Sequence, residues 1–149
     1  DFINNVGFTK ASNEKWMKDC VSREREGLEF YFIIYDKNEQ VGVVRVYKIN
    51  NQEKTFTWGS WILKDGSSPL YPIISAVMIY SFAFDFLGMT ECFFDVRNDN
   101  TKVKSFHKKT GAIFLRKNDV DSFYCFKKVS FVRLLEKYKK YIGEIYFKN

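Results

Sequence analysis

Histidine, proline and cysteine are the scarce residues of this chain, at one, two and three among 149. With so little proline, no low-complexity tract, no Gly/Ser linker and no internal repeat, a disordered or repetitive organisation is excluded. The cysteines, Cys20, Cys92 and Cys125, are odd in number, widely spaced and set in apolar or helical surroundings. That pattern suits buried free thiols in a reducing, cytoplasmic compartment, not a disulfide framework or a structural metal. The chain opens at Asp1 with no initiator Met and no basic-then-apolar leader, so we read residue 1 as the start of the ordered part, with upstream residues missing. A clean membrane span is lacking too. The nearest run, PLYPIISAVMIYSFAFDFLGM (69–89), is interrupted by Pro72, Ser75, Ser81 and Asp85. An Asp near the centre of a span costs about 3 kcal/mol, and strand-like segments lie close on both sides. A helix buried within the domain is the expectation, and no membrane partner.

What is present fits one globular domain: 46% hydrophobic and 28% charged residues in a chain long enough to bury roughly 70% of its unfolded surface. The formal charge of +6 favours an anionic partner. Aromatic residues are abundant enough to stack on nucleic-acid bases, but most alternate inward along strands or fall in helical stripes. That is core behaviour, and no nucleic-acid partner is expected. A homodimer is compatible with the composition.

Along the chain, Ser12 followed by NEKWMKDCVSRERE reads as a capped amphipathic helix with Trp16, Met17, Cys20 and Val21 on one face, ended by Gly27. LEFYFIIYD (28–36), VGVVRVYKI (41–49) and TFTWGSWIL (55–63) read as an antiparallel meander. An apolar helix from about Leu70 to Leu87 follows, with Pro72 in its first turn and Gly88 at its end. TECFFDVR (90–97) is the next strand, so strand, helix and strand form a right-handed crossover between parallel neighbours. NDNTKVKSFHKKTGA (98–112) holds the lone histidine, His107, in a helix capped by Asn100 and closed by Gly111. AIFLRK and DSFYCFKKV pair as a hairpin, and Ser130 caps a last helix with a Phe131, Leu134, Leu135, Tyr138, Ile142 stripe. The expected fold class is therefore α/β (α+β): one domain over residues 1–149 with a mixed sheet whose parallel pair is 55–63 and 90–97. Ligands of such sheets sit at the carboxyl ends of parallel strands beside helix N-termini, here Leu63–Pro69 and Arg97–Asn100.

At these residues the chain resembles the GNAT superfamily of acetyl-CoA-dependent N-acetyltransferases, over essentially its whole length and with a first strand and helix missing. The pattern that carries the resemblance is Asn100, then Val103, then Phe106 and His107, then Gly111. WGSWIL ahead of a phosphate loop resembles the branch with ribosomal-protein acetyltransferases. FHKKTGA followed by DSFY is similar to members found with surface-polysaccharide genes. The chain departs from the family where the pyrophosphate lands: instead of Arg or Gln, x, x, Gly, x, Gly or Ala it has KDGSSPLYP. A turn of free amides survives at Gly66, Ser67 and Ser68, with Lys64 alongside.

Moving an acetyl group from a thioester to an amine needs a neutral amine, donors for the oxyanion and a proton for the departing thiolate. The resemblance implies that acetyl-CoA is the cofactor, that its arm contacts the backbone of Trp61, Ile62 and Leu63, and that one of their amides is the oxyanion donor. Asn100 reads either as a helix cap alone or as a cap that also holds the arm; Phe106 sits in the same motif, and Asn98 is a turn residue. At the position of His107 the family often places a Tyr as general acid. A histidine with its usual pKa of about 6.5 would serve, and a hydrogen-bonded core histidine is the competing reading. Asp95, Glu29 and Glu91 are open as general base, beside a structural role for each and a water relay. Trp58 and Ser60 would line the acceptor pocket, with Trp58 equally a core residue. No metal site is expected. The acceptor expected from the resemblance is a small amine on an amino sugar or sugar nucleotide, steered by Arg97, Lys102 or Lys104. The alternatives are the N-terminal amine of a protein and a catalytically silent binding domain.

Overall fold

The computed structural model of the protein describes residues 10–142. Its elements are α1 (Lys10–Arg25), β1 (Phe30–Asp36), β2 (Glu39–Asn50), β3 (Thr55–Leu63), α2 (Tyr71–Ser81), β4 (Glu91–Arg97), α3 (Thr101–Thr110), β5 (Ile113–Lys117), β6 (Asp121–Lys127) and α4 (Lys128–Ile142). The strands form one six-stranded sheet in the order β1-β2-β3-β4-β6-β5. Every neighbouring pair is antiparallel except β3 and β4, as the crossover required.

One sheet face carries the core. Val44, Val46, Phe56, Trp58, Phe94 and Phe126 point into it and meet Ala76, Val77 and Tyr80 of α2, Phe84 beyond it, and Phe131 of α4. The Tyr80 ring stacks on Phe126 at 4.1 Å, and its hydroxyl accepts from Trp58 Nε1 at 3.2 Å. A buried phenol is thereby satisfied, and burial holds its pKa well above the usual 10. α2 is apolar on several sides because sheet, α4 and Phe30 and Phe32 of β1 surround it and the turn after it. That turn, Phe82–Phe86, widens to a π-helix before Gly88 stops it at φ +72. Among the described residues no helix is long and apolar enough to cross a membrane.

Two helix starts differ from expectation. α1 is described from Lys10 onward, which places Ser12 within the helix and not at its N-cap position, and Met17 and Val21 on its expected inner face are 60% and 44% exposed. The side chains of Trp16 and Cys20 lie outside the description. α4 starts at Lys128, immediately after β6, which puts Ser130 within its first turn. Asn100 and Gly111 do cap α3: Asn100 Oδ1 accepts from the Val103 amide at 3.2 Å, and Gly111 adopts φ +106. Cys92 and Cys125 are free and buried.

Candidate active site

β3 and β4 pair only at Thr55 with Glu91 and Phe56 with Cys92. Beyond them the strands diverge, and each keeps its other neighbour: β3 stays on β2, and β4 pairs with β6 along its full length. The facing edges of β3 and β4 therefore border an opening that widens toward their carboxyl ends. Backbone groups on such an edge need partners, and a ligand bearing amides can supply them.

A bulge in β3 shapes the wall of this opening. Val43 pairs with Ile62 and Arg45 with Gly59, so Val44 alone faces both Ser60 and Trp61. Ser60 takes up the extra residue at φ +49. In a regular strand, residues three apart point to opposite faces. Here the bulge turns Trp61 back onto the face of Trp58, and their rings lie 5.1 Å apart. Gly42 opposite has no room for a side chain, since a Cβ there would stand 2.5 Å from the Ile62 carbonyl oxygen.

His107 fills the floor of the opening. Its ring lies 4.3 Å from Phe94, 5.5 Å from Trp58, 5.4 Å from Phe106 and 6.3 Å from Trp61, and the residue is 4% exposed. Burial among aromatic rings lowers its pKa to about 4. A ring that exchanges a proton near neutrality, as expected from the sequence, is not what this environment makes. Its Nδ1 is buried with no hydrogen-bond partner. Trp58 is 4% exposed with its indole N–H committed to Tyr80, so it is core and not an acceptor-pocket wall. Trp61 is half-buried, donates to Ser75 Oγ at 3.1 Å and packs against Phe106 at 5.2 Å.

At the mouth, Gly66 adopts φ +72 between β3 and α2. Ser67 donates both its amide and its hydroxyl to the Lys64 carbonyl, while Ser68 Oγ accepts from the Leu70 amide at 3.3 Å. The Lys64 ammonium pairs with Glu39, both exposed. Neither α2 nor α3 has an acidic residue in its first turn, so both helix N-termini beside the opening keep their positive field. Past the end of β4, Arg97, Asn98, Asp99, Asn100, Asp119 and Val120 line a depression of about 730 Å³.

The acetyltransferase (GNAT) domain family matches residues 2–113. The chain belongs to the GNAT acetyltransferase family. Apo FdhC, a nucleotide-linked sugar GNAT, is 34% identical to this acetyltransferase, with a TM-score of 0.85 covering 93% of this chain and 78% of that one. The N-acetyltransferase PseH of Campylobacter jejuni in complex with acetyl coenzyme A shares the fold at 15% identity, TM-score 0.69, covering 81% and 83%. A spermidine N-acetyltransferase SpeG mutant from Vibrio cholerae does so at 11% identity, TM-score 0.71, covering 80% and 76%. No curated protein matches the chain.

On the acetyltransferase, the expected residues gather in two places: Trp61, Phe106 and His107 around the floor, and Lys64, Gly66, Ser67 and Ser68 at the turn into α2. Asn100 caps α3 at the other side of the mouth. Ile62 is largely exposed and reaches the site through its backbone alone. Of the three carboxylates, Glu29 is buried, not solvent-facing: it holds Arg23 at 2.6 Å and Arg45 at 3.3 Å. Glu91 accepts from Cys125 Sγ at 3.5 Å; burial first, and then this bond, raise the thiol to about 11. Asp95 is exposed on the other sheet face. Sequence reasoning missed Tyr47, whose hydroxyl lies over Gly59. A Cβ on that glycine would be 3.4 Å from the hydroxyl oxygen.

Proposed function

We propose that this acetyltransferase moves the acetyl group of acetyl-CoA to the primary amine of a nucleotide-linked amino sugar. The observation that supports it is the 34% identity and TM-score of 0.85 with FdhC over 93% of the chain. The fold alone would not choose an acceptor, because the same architecture serves a spermidine acetyltransferase.

The opening between β3 and β4 fits the cofactor's arm on two counts: their ladder stops after two pairs, and the buried Nδ1 of His107 lacks a partner. Bound acetyl-CoA would supply a thioester, an acyl group activated toward amines. The backbone of Trp61, Ile62 and Leu63 would hold the arm, with an amide next to the bulge as oxyanion donor. Asn100 spends Oδ1 on its cap and retains Nδ2 for a ligand. Phe106 and Trp61 would cover the arm with apolar surface, and His107 would offer a neutral ring nitrogen rather than an imidazolium. The Gly66–Ser68 turn and the N-terminus of α2 would take the phosphates, with Lys64 released from Glu39.

Titrating acetyl-CoA while following the melting temperature tests the reading. At roughly 100 times Kd the ligand should stabilise the protein by about 2.7 kcal/mol. No shift with acetyl-CoA or CoA would overturn it.

A further inference from the structure

The helices α2, α3 and α4 cover one sheet face at the opening, and the chemistry-bearing groups that remain lie on the other. β4 alternates: Cys92, Phe94 and Val96 are buried, and Phe93, Asp95 and Arg97 are exposed on the reverse face. Continuing the register of Thr55 with Glu91 places Asp95 level with Gly59, where the two strands have already parted. Tyr47 pairs with Thr57 on this same reverse face and leans along β3 until its hydroxyl stands over Gly59. It crosses there because Gly59 has no side chain. A tyrosine hydroxyl and a carboxylate thus flank the opening from opposite strands, one residue from the bulge and across the sheet from His107.

The placement of Tyr47 is built from behind. The Arg45 guanidinium carbon sits 3.9 Å from the Tyr47 ring centre, and Arg45 is held at 3.3 Å by Glu29. Glu29 in turn is bound by Arg23 from the end of α1. Such a buried, doubly paired carboxylate fixes the arginine, and the arginine's face-on contact fixes the ring. Burial is the main cause that raises the Tyr47 pKa above its usual value; Arg45 opposes it, and the Asp95 carboxylate adds to it. The hydroxyl therefore stays protonated and feels Asp95 across the gap.

We propose that Asp95 receives the acceptor's ammonium on this face and takes its first proton, with the Tyr47 hydroxyl orienting the nitrogen. The proposal rests on the functional reading above and assigns its amine-binding side. The ammonium gives one N–H proton to the Asp95 carboxylate, which passes it to solvent. The freed lone pair forms the C–N bond at the thioester carbonyl carbon while the carbonyl π pair moves onto oxygen. When that pair returns, the C–S bond breaks, and the second amine proton leaves with sulfur as the thiol. Ammonium and thioester thus become amide, thiol and one proton. Arg45 and Glu29 are positioning residues that act through Tyr47.

The test uses the full chain, acetyl-CoA, and whichever amine the wild type acetylates fastest among amino-deoxy-sugar nucleotides, simple amines and N-terminal peptides. Asp95→Asn should lower kcat about 100-fold or more, in the range of lost acid–base catalysis, with the acetyl-CoA Kd within about twofold of wild type. Tyr47→Phe should raise the acceptor KM with a smaller loss in kcat. Turnover of Asp95→Asn within about threefold of wild type would overturn the assignment, and so would loss of acetyl-CoA binding in that variant, which would make Asp95 structural. A wild type that binds acetyl-CoA and acetylates nothing in the panel overturns the functional reading itself and this assignment with it.

Discussion

A neutral imidazole at pH 7 changes what His107 can contribute. With a pKa of about 4, only roughly one ring in a thousand is protonated at neutrality, too few for an imidazolium to be the usual proton source for the thiolate. The amine's own second proton can serve instead. His107→Phe should therefore keep turnover within about tenfold at pH 7, whereas a loss of several hundredfold would return the ring to general acid. The same residue sets an acid limb of stability. The unfolded chain binds a proton below about pH 6.5 and the folded one only near 4, so stability falls as pH drops through that window and levels off below it. The gap corresponds to about 3 kcal/mol. Urea unfolding at pH 7 and pH 4.5 should show His107→Phe losing less stability between the two than wild type. An identical loss would contradict the buried neutral ring. From the sequence, a general acid and a core histidine were both open for His107, and its neutrality was not legible because it depends on Trp58, Trp61 and Phe94 arriving from two strands.

At the scale of elements, strands and helices were legible because β-branched and aromatic runs alternate with polar turns, and because Asn100 and Gly111 punctuate α3 chemically. The bulge was not. TFTWGSWIL reads as plain alternation, which sends Trp58 and Trp61 to opposite faces, and only pairing with β2 shows the extra residue at Ser60. Likewise Glu29 looks like a surface carboxylate until Arg23 and Arg45, brought from a helix and another strand, close on it. The turn into α2 can be tested as a unit. Gly66 has open space around its missing Cβ, so the cost of a side chain there comes from its left-handed backbone, about 1–2 kcal/mol. Gly66→Val should weaken acetyl-CoA binding more than Ser67→Ala with Ser68→Ala, because both hydroxyls already serve the turn, so that in the proposed site the phosphates would be held by its backbone, whose path Gly66 sets. Calorimetric titration of the two variants decides it. Equal and normal affinity in both would move the phosphate site elsewhere.

For the whole molecule, the formal charge of +6 and the N-terminus of α2, which has no acid in its first turn, favour anionic ligands on that side of the opening. Near the end of β4 the balance is different, since Asp99 and Asp119 outnumber Arg97, and Arg97 already lies 3.8 Å from Asp121. That depression suits hydroxyls and an ammonium better than a diphosphate, so the cationic patch expected from Arg97 is weaker there than its sequence position implied. Overall architecture followed from the order of elements, while the proposed side of acceptor approach rests on Tyr47 and Asp95, which meet only once β2, β3 and β4 are assembled. Acetyl transfer itself decides the proposed activity, followed by mass spectrometry with acetyl-CoA, a panel of amino-deoxy-sugar nucleotides and a panel of N-terminal peptides at low and moderate salt. A nucleotide-sugar acetyltransferase should give a product one acetyl heavier from at least one sugar nucleotide, formed more slowly as salt is raised, and little from peptides. Robust acetylation of peptides with none of the sugar nucleotides would contradict it.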